Sequence, residues 1–279
     1  MRASDFRSVI FVFLTITFLI LPFHFYEHLS NLASFGALFV ANFALVFSCC
    51  AINHNHLHCP TFKSATLNRI FDLLLTVARG HTTRTIIVPH NYNHHLHCGS
   101  EEDWIRPELA GTGFLPVRIS RYVWRASREM AIQRRKADAP KLNFSEKQDY
   151  RFEQIILLIF MGYLFYQDTL LALLFVVLPW ICSMAALLAI NYFQHEGCDP
   201  NSEMNHSRNF TGRISNWFLF NSGYHTAHHL FPGRHWSELP ALHQVYVVLG
   251  AREDLRLQSF FDFIFGTKES SRRWSSAGL

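Results

Sequence analysis

Residues 8–26 read SVIFVFLTITFLILPFHFY and contain no charged side chain. An α-helix rises about 1.5 Å per residue, so this segment would cover roughly 28 Å, close to the thickness of a bilayer's hydrocarbon core. Residues 32–53, LASFGALFVANFALVFSCCAIN, are also uncharged. Since only the short break EHLSN (27–31) separates the two segments, they predict a tight hairpin of two membrane-spanning helices.

A second apolar pair follows about a hundred residues later. The segment 152–166 reads FEQIILLIFMGYLFY, and the segment 169–192 reads TLLALLFVVLPWICSMAALLAINY. Only Gln167 and Asp168 separate them. Charged residues make up 16% of the chain, against about a quarter in soluble domains of this size. The sequence therefore predicts four transmembrane helices arranged as two hairpins.

The distribution of positive charge predicts the orientation. All 25 Lys and Arg residues lie in residues 1–7, 59–151 or 197–279, outside the hairpin tips and the four apolar segments. Because positive charge marks the cytoplasmic side, both termini and the long middle segment are expected there. We thus expect an all-α, multi-pass integral membrane protein, formed as one domain over residues 1–279, with a helical cap on the cytoplasmic side.

A cleaved signal peptide is the alternative for residues 1–26. The segment has the basic start and the apolar run of such a peptide. It lacks a small-residue cleavage site before Glu27. The first transmembrane helix is therefore the favoured interpretation.

The chain has 17 histidines, and eleven of them fall in four short stretches. They are concentrated in NHNHLHCP (53–60), PHNYNHHLHCGSEEDW (89–104), NYFQHEG (191–197) and GYHTAHH (223–229). Histidines four positions apart share one face of a helix, as do His54 with His58 and His90 with His94. The spacings give nine candidate metal ligands: His54, His58, His90, His94, His95, His195, His225, His228 and His229.

Nine imidazoles are too many for one metal ion, because a tetrahedral zinc uses three or four ligands. Two ions with four or five nitrogens each would use the whole set. The neighbours His94 and His95 point about 100° apart on a helix, as do His228 and His229, so each pair can serve two ions. Imidazole suits iron, zinc, copper and nickel, so ligand type alone does not name the metal. The alternative, histidines that only pack at a membrane interface, is disfavoured by the number of clusters on one side.

Other polar residues near the clusters have weaker signals. His56, His97 and His235 are expected to be packing, outer or surface groups. The carboxylates of Glu101, Glu102 and Asp103 follow the second cluster. They could orient ligand imidazoles by accepting hydrogen bonds, or form a solvated turn.

Three of these segments resemble the histidine boxes of the membrane fatty acid desaturase and hydroxylase superfamily. HNHLH (54–58) resembles the first box, HNYNHH (90–95) the second, and HTAHH (225–229), continued as HHLFP (228–232), the third. NYFQH (191–195) resembles the segment that donates a further histidine, and Asn191 matches an asparagine that reaches one metal through water. The resemblance implies two iron ions that use O2 to attack an unactivated C–H bond of a lipid or acyl chain, with no catalytic residue beyond the metal centre.

The boxes leave the reaction open between two chemistries. HNYNHH and NYFQHEG are also similar to segments of membrane alkane monooxygenases, whereas GYHTAHHLFPGRHW is closer to desaturases. We favour desaturation, with a lipid hydroxylase or alkane-type monooxygenase as the alternative. A histidine-rich metal transporter is disfavoured, because transporters place ligands near the bilayer midplane and no histidine falls in the middle of a predicted span.

The reaction needs two electrons per turnover from another protein. The sequence contains no G-x-G-x-x-G motif for a dinucleotide, and its six cysteines include no C-x-x-C pair typical of iron–sulfur sites. We therefore expect a separate electron donor, a ferredoxin or a cytochrome with its reductase. The expected partners are this donor, the membrane and a lipid substrate, and no nucleic acid.

Overall fold

The computed structural model describes residues 1–25 and 31–265, which are mostly helical. Two-residue strands β1 (Asn209–Phe210) and β2 (Arg256–Leu257) pair in parallel. The α-helices of the described residues are α1 (Asp5–Phe25), α2 (Leu32–His58), α3 (Ala65–Arg79), α4 (His95–His97), α5 (Leu115–Gln133), α6 (Phe144–Gln167), α7 (Thr169–Ala172), α8 (Leu178–His195), α9 (Arg213–Phe218), α10 (His225–Leu230), α11 (Leu239–Leu242) and α12 (Phe260–Phe265).

Short segments of tighter or wider helix connect these elements. Wider π-helical turns occupy Ile87–His94, Leu173–Val177 and His243–Val247. The second of them joins α7 to α8, so Thr169–His195 runs as one helical segment. Tighter 3₁₀ turns occupy Thr83–Ile86, Pro107–Ala110, Trp236–Glu238 and Glu253–Leu255.

Three helices of the described residues are long and apolar enough to cross a membrane: Asp5–Phe25, Leu32–His58 and Thr169–His195. These helices contain three of the predicted spans: 8–26, 32–53 and 169–192. Residue 26 of the first span lies outside the described residues. The predicted span 152–166 lies within α6, whose first half carries several charged side chains, so the four-span topology stays a prediction. Of the predicted hairpin tip 27–31, residues 27–30 lie outside the described residues. Asn31 caps α2 by accepting a hydrogen bond from the Ser34 amide at 2.9 Å.

Helices α2 and α8 pack against each other along the centre of the molecule. The buried amide of Asn42 on α2 donates to the Phe175 carbonyl at 2.9 Å, within the π-helical turn that precedes α8. Inside a membrane such a hydrogen bond between helices satisfies polar groups that the hydrocarbon cannot solvate. This pairing brings the histidine-bearing ends of both helices, at His58 and His195, to the same side of the fold.

Helix α5 covers the end of α8 with an aromatic contact. Tyr122 and Tyr192 are both fully buried, and their rings lie 5.1 Å apart. The Tyr122 hydroxyl donates to the Ile105 carbonyl at 2.6 Å and accepts from the Asn191 amide at 2.8 Å. The segment after the second histidine box is thereby fixed against the last turns of α8.

A buried ionic network joins α3, α6 and the turn that precedes the second histidine box. The guanidinium of Arg84 lies 3.1 Å from Asp72 on α3 and 3.0 Å from Asp149 on α6, and it also pairs with Glu153. Glu153 is 1% exposed and also accepts from the Thr83 amide. Because three carboxylates share one cation, Arg84 fixes where the second box begins.

Replacing Arg84 with Ala is expected to lower the free energy of unfolding by about 3–5 kcal/mol, because it leaves buried carboxylates without their cation. Thermal and chemical unfolding in detergent would measure the loss. Arg69 is the matched control, because its guanidinium is exposed and lies 3.6 Å from Asp149. Arg69→Ala should change stability by no more than about 0.5 kcal/mol. Equal effects of both substitutions would contradict the role given to the buried network.

Candidate metal centre

The structure brings all nine predicted histidines into two adjacent clusters. The first cluster is joined by close contacts between Nε2 atoms: 3.0 Å for His54 to His228, 3.0 Å for His228 to His95, and 3.1 Å for His95 to His90. The ring of His58 lies 4.6–4.7 Å from the rings of His95 and His228. We call this set, which comprises His54, His58, His90, His95 and His228, the first cluster.

The second cluster consists of His94, His195, His225 and His229. The Nε2 atom of His225 lies 2.9 Å from that of His195 and 3.1 Å from that of His229. The ring of His94 completes the set, with its centroid 4.8 Å from His195 and 5.0 Å from His229. The nine histidines that the sequence offers as candidate ligands therefore lie close together, and the tertiary structure divides them into five and four. Their role as metal ligands stays a prediction.

The geometry of these nitrogens fits one metal ion in each cluster. An imidazole nitrogen binds a divalent transition metal at about 2.0–2.1 Å, so two such nitrogens on one ion lie roughly 3 Å apart. The contacts of 2.9–3.1 Å between Nε2 atoms match that separation. In addition, the Nε2 atoms of His58 and His94 are buried without a hydrogen-bond partner, although buried polar atoms normally have one.

A π-helical turn decides how the second box divides between the clusters. The spacing predicted that His90 and His94 share a helix face, but Ile87–His94 forms a wider turn in which residues five apart come together. The Nε2 atom of His90 therefore contacts that of His95, and His94 turns toward the second cluster. His90 and His94 still lie side by side, with ring centroids 5.5 Å apart, but they belong to different clusters. The expected division of the adjacent pairs is present, since His94 and His95 lie in different clusters, as do His228 and His229.

Two hydrogen bonds fix the orientation of imidazoles in the second cluster. The Nδ1 atom of His94 donates to the Asp103 carboxylate at 2.8 Å, and that of His195 donates to the His206 carbonyl at 3.0 Å. Each bond leaves Nε2 as the nitrogen with a free lone pair, which is how proteins orient metal-binding histidines. Of the three carboxylates that were candidates for this role, Glu101 and Glu102 are exposed and only Asp103 is buried.

The same contacts keep Asp103 ionised. Burial by itself raises the pKa of a carboxyl group, but the nearby His94 and the amides of Gly99 and Ile105 outweigh it and lower the pKa of Asp103 to about 2. The amide contacts are 2.9 Å each. Asp103 is therefore a fixed negative charge beside the second cluster.

The remaining polar residues predicted near the boxes lie outside both clusters. His56 is buried and lies 3.2 Å from Asp72 and 2.8 Å from the Thr61 hydroxyl. The Nε2 atom of His235 lies 2.7 Å from Asp5. His97 lines an open cleft beside the second box. Cys98 was not among the predicted ligands, although it forms a group of potential metal ligands with His94, His195 and His229. Its sulfur lies 3.7 Å from the Nδ1 atom of His195.

An apolar cavity of about 120 Å³ leads to both clusters. Its walls include His54 and His90 of the first cluster and His225 of the second, together with Asn191. The apolar part of the lining comes mostly from α2 and α8, at Phe47, Ala51, Met184, Leu187 and Leu188. A flexible apolar ligand in this cavity would lie beside imidazoles of both sets.

The comparisons with known proteins agree with this arrangement. The family model for fatty acid desaturases matches residues 29–260. The chain belongs to the fatty acid desaturase family. The search of curated proteins found no match. The matched range contains all nine predicted histidines, and it joins this histidine-rich membrane protein to a superfamily of desaturase- and hydroxylase-type oxidoreductases.

Asp103→Asn is expected to weaken metal binding at the second cluster of this desaturase-family protein. The substitution removes the charge that orients His94, and loss of such an outer partner typically costs about 10–100-fold in metal affinity. Iron titration against a competing chelator would measure the loss. Glu102→Gln is the control, because that carboxylate is exposed although it belongs to the residue directly before Asp103. Unchanged affinity in Asp103→Asn would exclude the orienting role.

The metal-free chain is expected to lose stability as the pH falls below about 6.5. Burial, followed by the neighbouring imidazoles, lowers the pKa of His90, His225, His228 and His229 well below 6.5. The unfolded chain then binds protons that the folded chain does not, so acid favours unfolding, by up to about 1.4 kcal/mol per histidine and pH unit.

Unfolding curves of the metal-free protein between about pH 7.5 and 5.5 would test this dependence. Replacing His228 with Gln removes one titrating group and should make the dependence on pH shallower. Added iron should stabilise the chain less at the acid end, because the ion and protons compete for the same nitrogens. A stability that stays constant over this range would mean that the clusters accept protons without unfolding.

Proposed function

We propose that this protein is a membrane di-iron desaturase that introduces a double bond into an acyl chain. The substrate segment –CH2–CH2– would become –CH=CH–, while O2, two electrons from an external donor and two protons become two water molecules. The observation that carries the proposal is the pair of adjacent imidazole clusters, reached by one apolar cavity, in a chain of the fatty acid desaturase family. Bound iron would supply the activation of O2 that no side chain can perform.

In this proposal His54, His58, His90, His95 and His228 bind one iron, and His94, His195, His225 and His229 bind the other. The Nε2 separations and the unpartnered Nε2 atoms of His58 and His94 support these assignments. Asn191 is proposed to contact one iron through water. Its amide nitrogen donates to the Tyr122 hydroxyl and the Ile105 carbonyl, which fixes its side chain at the wall of the cavity.

The protein's own residues would bind the acyl chain and exclude water from the reaction. The leucine, methionine and phenylalanine side chains of α2 and α8 offer an apolar surface to methylene groups. The imidazoles of His54 and His90 line the same cavity. The bound chain is thereby held so that its C–H bonds, rather than a head group, lie nearest the metal-binding nitrogens.

The proposed topology has four spans in a single domain over residues 1–279, with the clusters on the cytoplasmic side. Helix α6 supports a fourth span because one of its faces exposes a row of large apolar side chains: Phe152, Ile155, Leu158, Ile159, Tyr163 and Tyr166. Contiguous exposed apolar surface of this kind is what a bilayer covers. The positions of Lys and Arg support the orientation. A single domain is supported because the clusters draw on residues from 54 to 229.

The electrons are proposed to come from a separate ferredoxin or cytochrome with its reductase, on the same side as the clusters. The sequence has no dinucleotide motif and no cysteine set for an iron–sulfur cluster. Hydroxylation or alkane-type monooxygenation remains the second candidate, favoured by the similarity of HNYNHH and NYFQHEG to alkane monooxygenase segments. That reaction would insert one oxygen atom into a C–H bond and release one water.

Mass spectrometry of total lipids from a host that expresses the chain tests the reaction. Desaturation predicts an acyl species two hydrogens lighter, and this species should be absent with His228→Ala, which removes a nitrogen that contacts two others in the first cluster. His97→Ala is the matched control and should keep the product, because His97 lies outside both clusters. A species heavier by one oxygen would establish the hydroxylase instead. No change in either lipid or hydrocarbon fractions, in a host with a competent donor, would contradict both.

A further inference from the structure

A tenth histidine lies against the second cluster. His206 belongs to the loop between α8 and β1, and its ring centroid lies 5.1 Å from that of His229. Centroid separations between members of the second cluster span the same range, from 4.6 Å for His225 to His229 up to 5.2 Å for His195 to His229. Local spacing does not mark this residue as a ligand, because no other histidine lies three to five positions away from it.

The hydrogen bonds of His206 determine which ring nitrogen is free. Its Nδ1 atom lies 2.8 Å from the Glu203 carbonyl and 3.3 Å from the Ser202 carbonyl. Carbonyl oxygens only accept, so Nδ1 carries the proton, and the neutral ring therefore keeps a lone pair on Nε2. This is the arrangement in which a metal-binding histidine donates its other N–H to a carbonyl group.

The Nε2 atom of His206 is buried and has no hydrogen-bond partner. Within the described part of the chain, only two other imidazole Nε2 atoms share both properties, and they belong to His58 and His94. Those two histidines are members of the first and the second cluster. A buried lone pair without a hydrogen-bond donor is unfavourable unless a group other than the protein, such as a metal ion, binds it. The Nε2 atom of His206 therefore needs the same explanation as those of His58 and His94.

The loop holds His206 firmly in this place. The backbone carbonyl of His206 accepts a hydrogen bond from Nδ1 of His195 at 3.0 Å. His206 therefore orients a cluster imidazole with its backbone, while its own ring lies against the cluster. The next residues tie the loop to both sides of the site. The Arg208 amide donates to the Gln194 carbonyl at 2.6 Å, and the hydroxyls of Ser207 and Thr226 lie 2.8 Å apart.

We propose that His206 is a fifth imidazole ligand of the ion held by the second cluster, through its Nε2 atom. The proposal rests on the proposed metal-binding function. It gives both clusters five nitrogens, since His94, His195, His225 and His229 supply only four against the five of the first cluster. It also assigns a direct role to the loop after α8, which lies outside the three histidine boxes.

Metal content of the purified full-length chain tests this assignment. The protein would be loaded with ⁵⁷Fe, and iron per chain would be measured by elemental mass spectrometry and each iron environment by Mössbauer spectroscopy. The unaltered chain should hold two irons. His206→Ala should bind the second iron at least about tenfold more weakly, or keep it with only one of the two spectral components changed. The carbonyl of residue 206 remains in this variant, so the hydrogen bond to His195 is preserved.

His97→Ala is the matched control and should keep two irons with an unchanged spectrum, since its ring lies in the open cleft. A second variant, His206→Gly, opens a space that free imidazole can fill. If His206 is a ligand, added imidazole should restore the lost iron or the original spectral component. A purely structural role would not respond to imidazole in this way.

The outcomes separate the two proposals. If the unaltered chain binds fewer than two irons, the di-iron function fails and the role of His206 fails with it. If it binds two irons, and His206→Ala also binds two with an unchanged spectrum, only the role of His206 is overturned. Loss of iron from both clusters in His206→Gly, without recovery on addition of imidazole, would likewise overturn it, because the residue would then support the fold instead of one ion.

Discussion

The structure depends on bringing nine imidazoles together in two small groups, in which seven Nε2 atoms lie about 3 Å from a neighbouring Nε2 atom. Nitrogen lone pairs repel at that distance unless a cation or proton lies between them, and burial disfavours the proton. The fold therefore has to supply the energy that assembles the groups in the metal-free chain. It does so through the packing of α2 against α8, whose last turns carry His54, His58 and His195 to one end of the molecule.

The remaining histidines come from segments that are not ordinary α-helix. The second box lies on a π-helical turn, and the third box opens the six-residue helix α10. Such short or wide turns are weak on their own, because π-helical hydrogen bonding is rarely stable beyond a single turn. Contacts from outside hold them. Arg84 and Glu153 fix the start of the second box, Asp103 fixes its end, and the pair Ser207 and Thr226 fixes the third.

The same packing determines what can reach the clusters. Helices α2 and α8 present apolar side chains both to the cavity and to the outside of the bundle, where a bilayer would cover them. An apolar chain in this cavity would therefore contact mostly apolar side chains beside the imidazoles. The ionic network around Arg84 adjoins the cavity, because Thr85 and Ile86, the next two residues, line it.

The sequence by itself determined that the protein is helical and apolar enough to enter a membrane, and which nine histidines assemble. The membrane character and the set of histidines depend on composition and on local spacing. Long uncharged runs and the pattern His-x-x-His-His can be recognised in the sequence without knowledge of the fold. Three membrane-length helices and the family match support the membrane character, and close contacts between imidazole rings bring the nine histidines together. The sequence did not separate the set into five and four, because that division depends on a π-helical turn, which pairs His90 with His95 and has no distinct residue pattern.

Only the tertiary structure decided which other residues approach the clusters. Asp103 and its exposed neighbours Glu101 and Glu102 look equivalent in sequence, yet burial selects Asp103 alone as the partner of His94. His206 reaches the second cluster only because its loop folds back on α8 and α10. Contacts of this kind join residues far apart in the chain through packing and hydrogen bonding, and local spacing carries no trace of them.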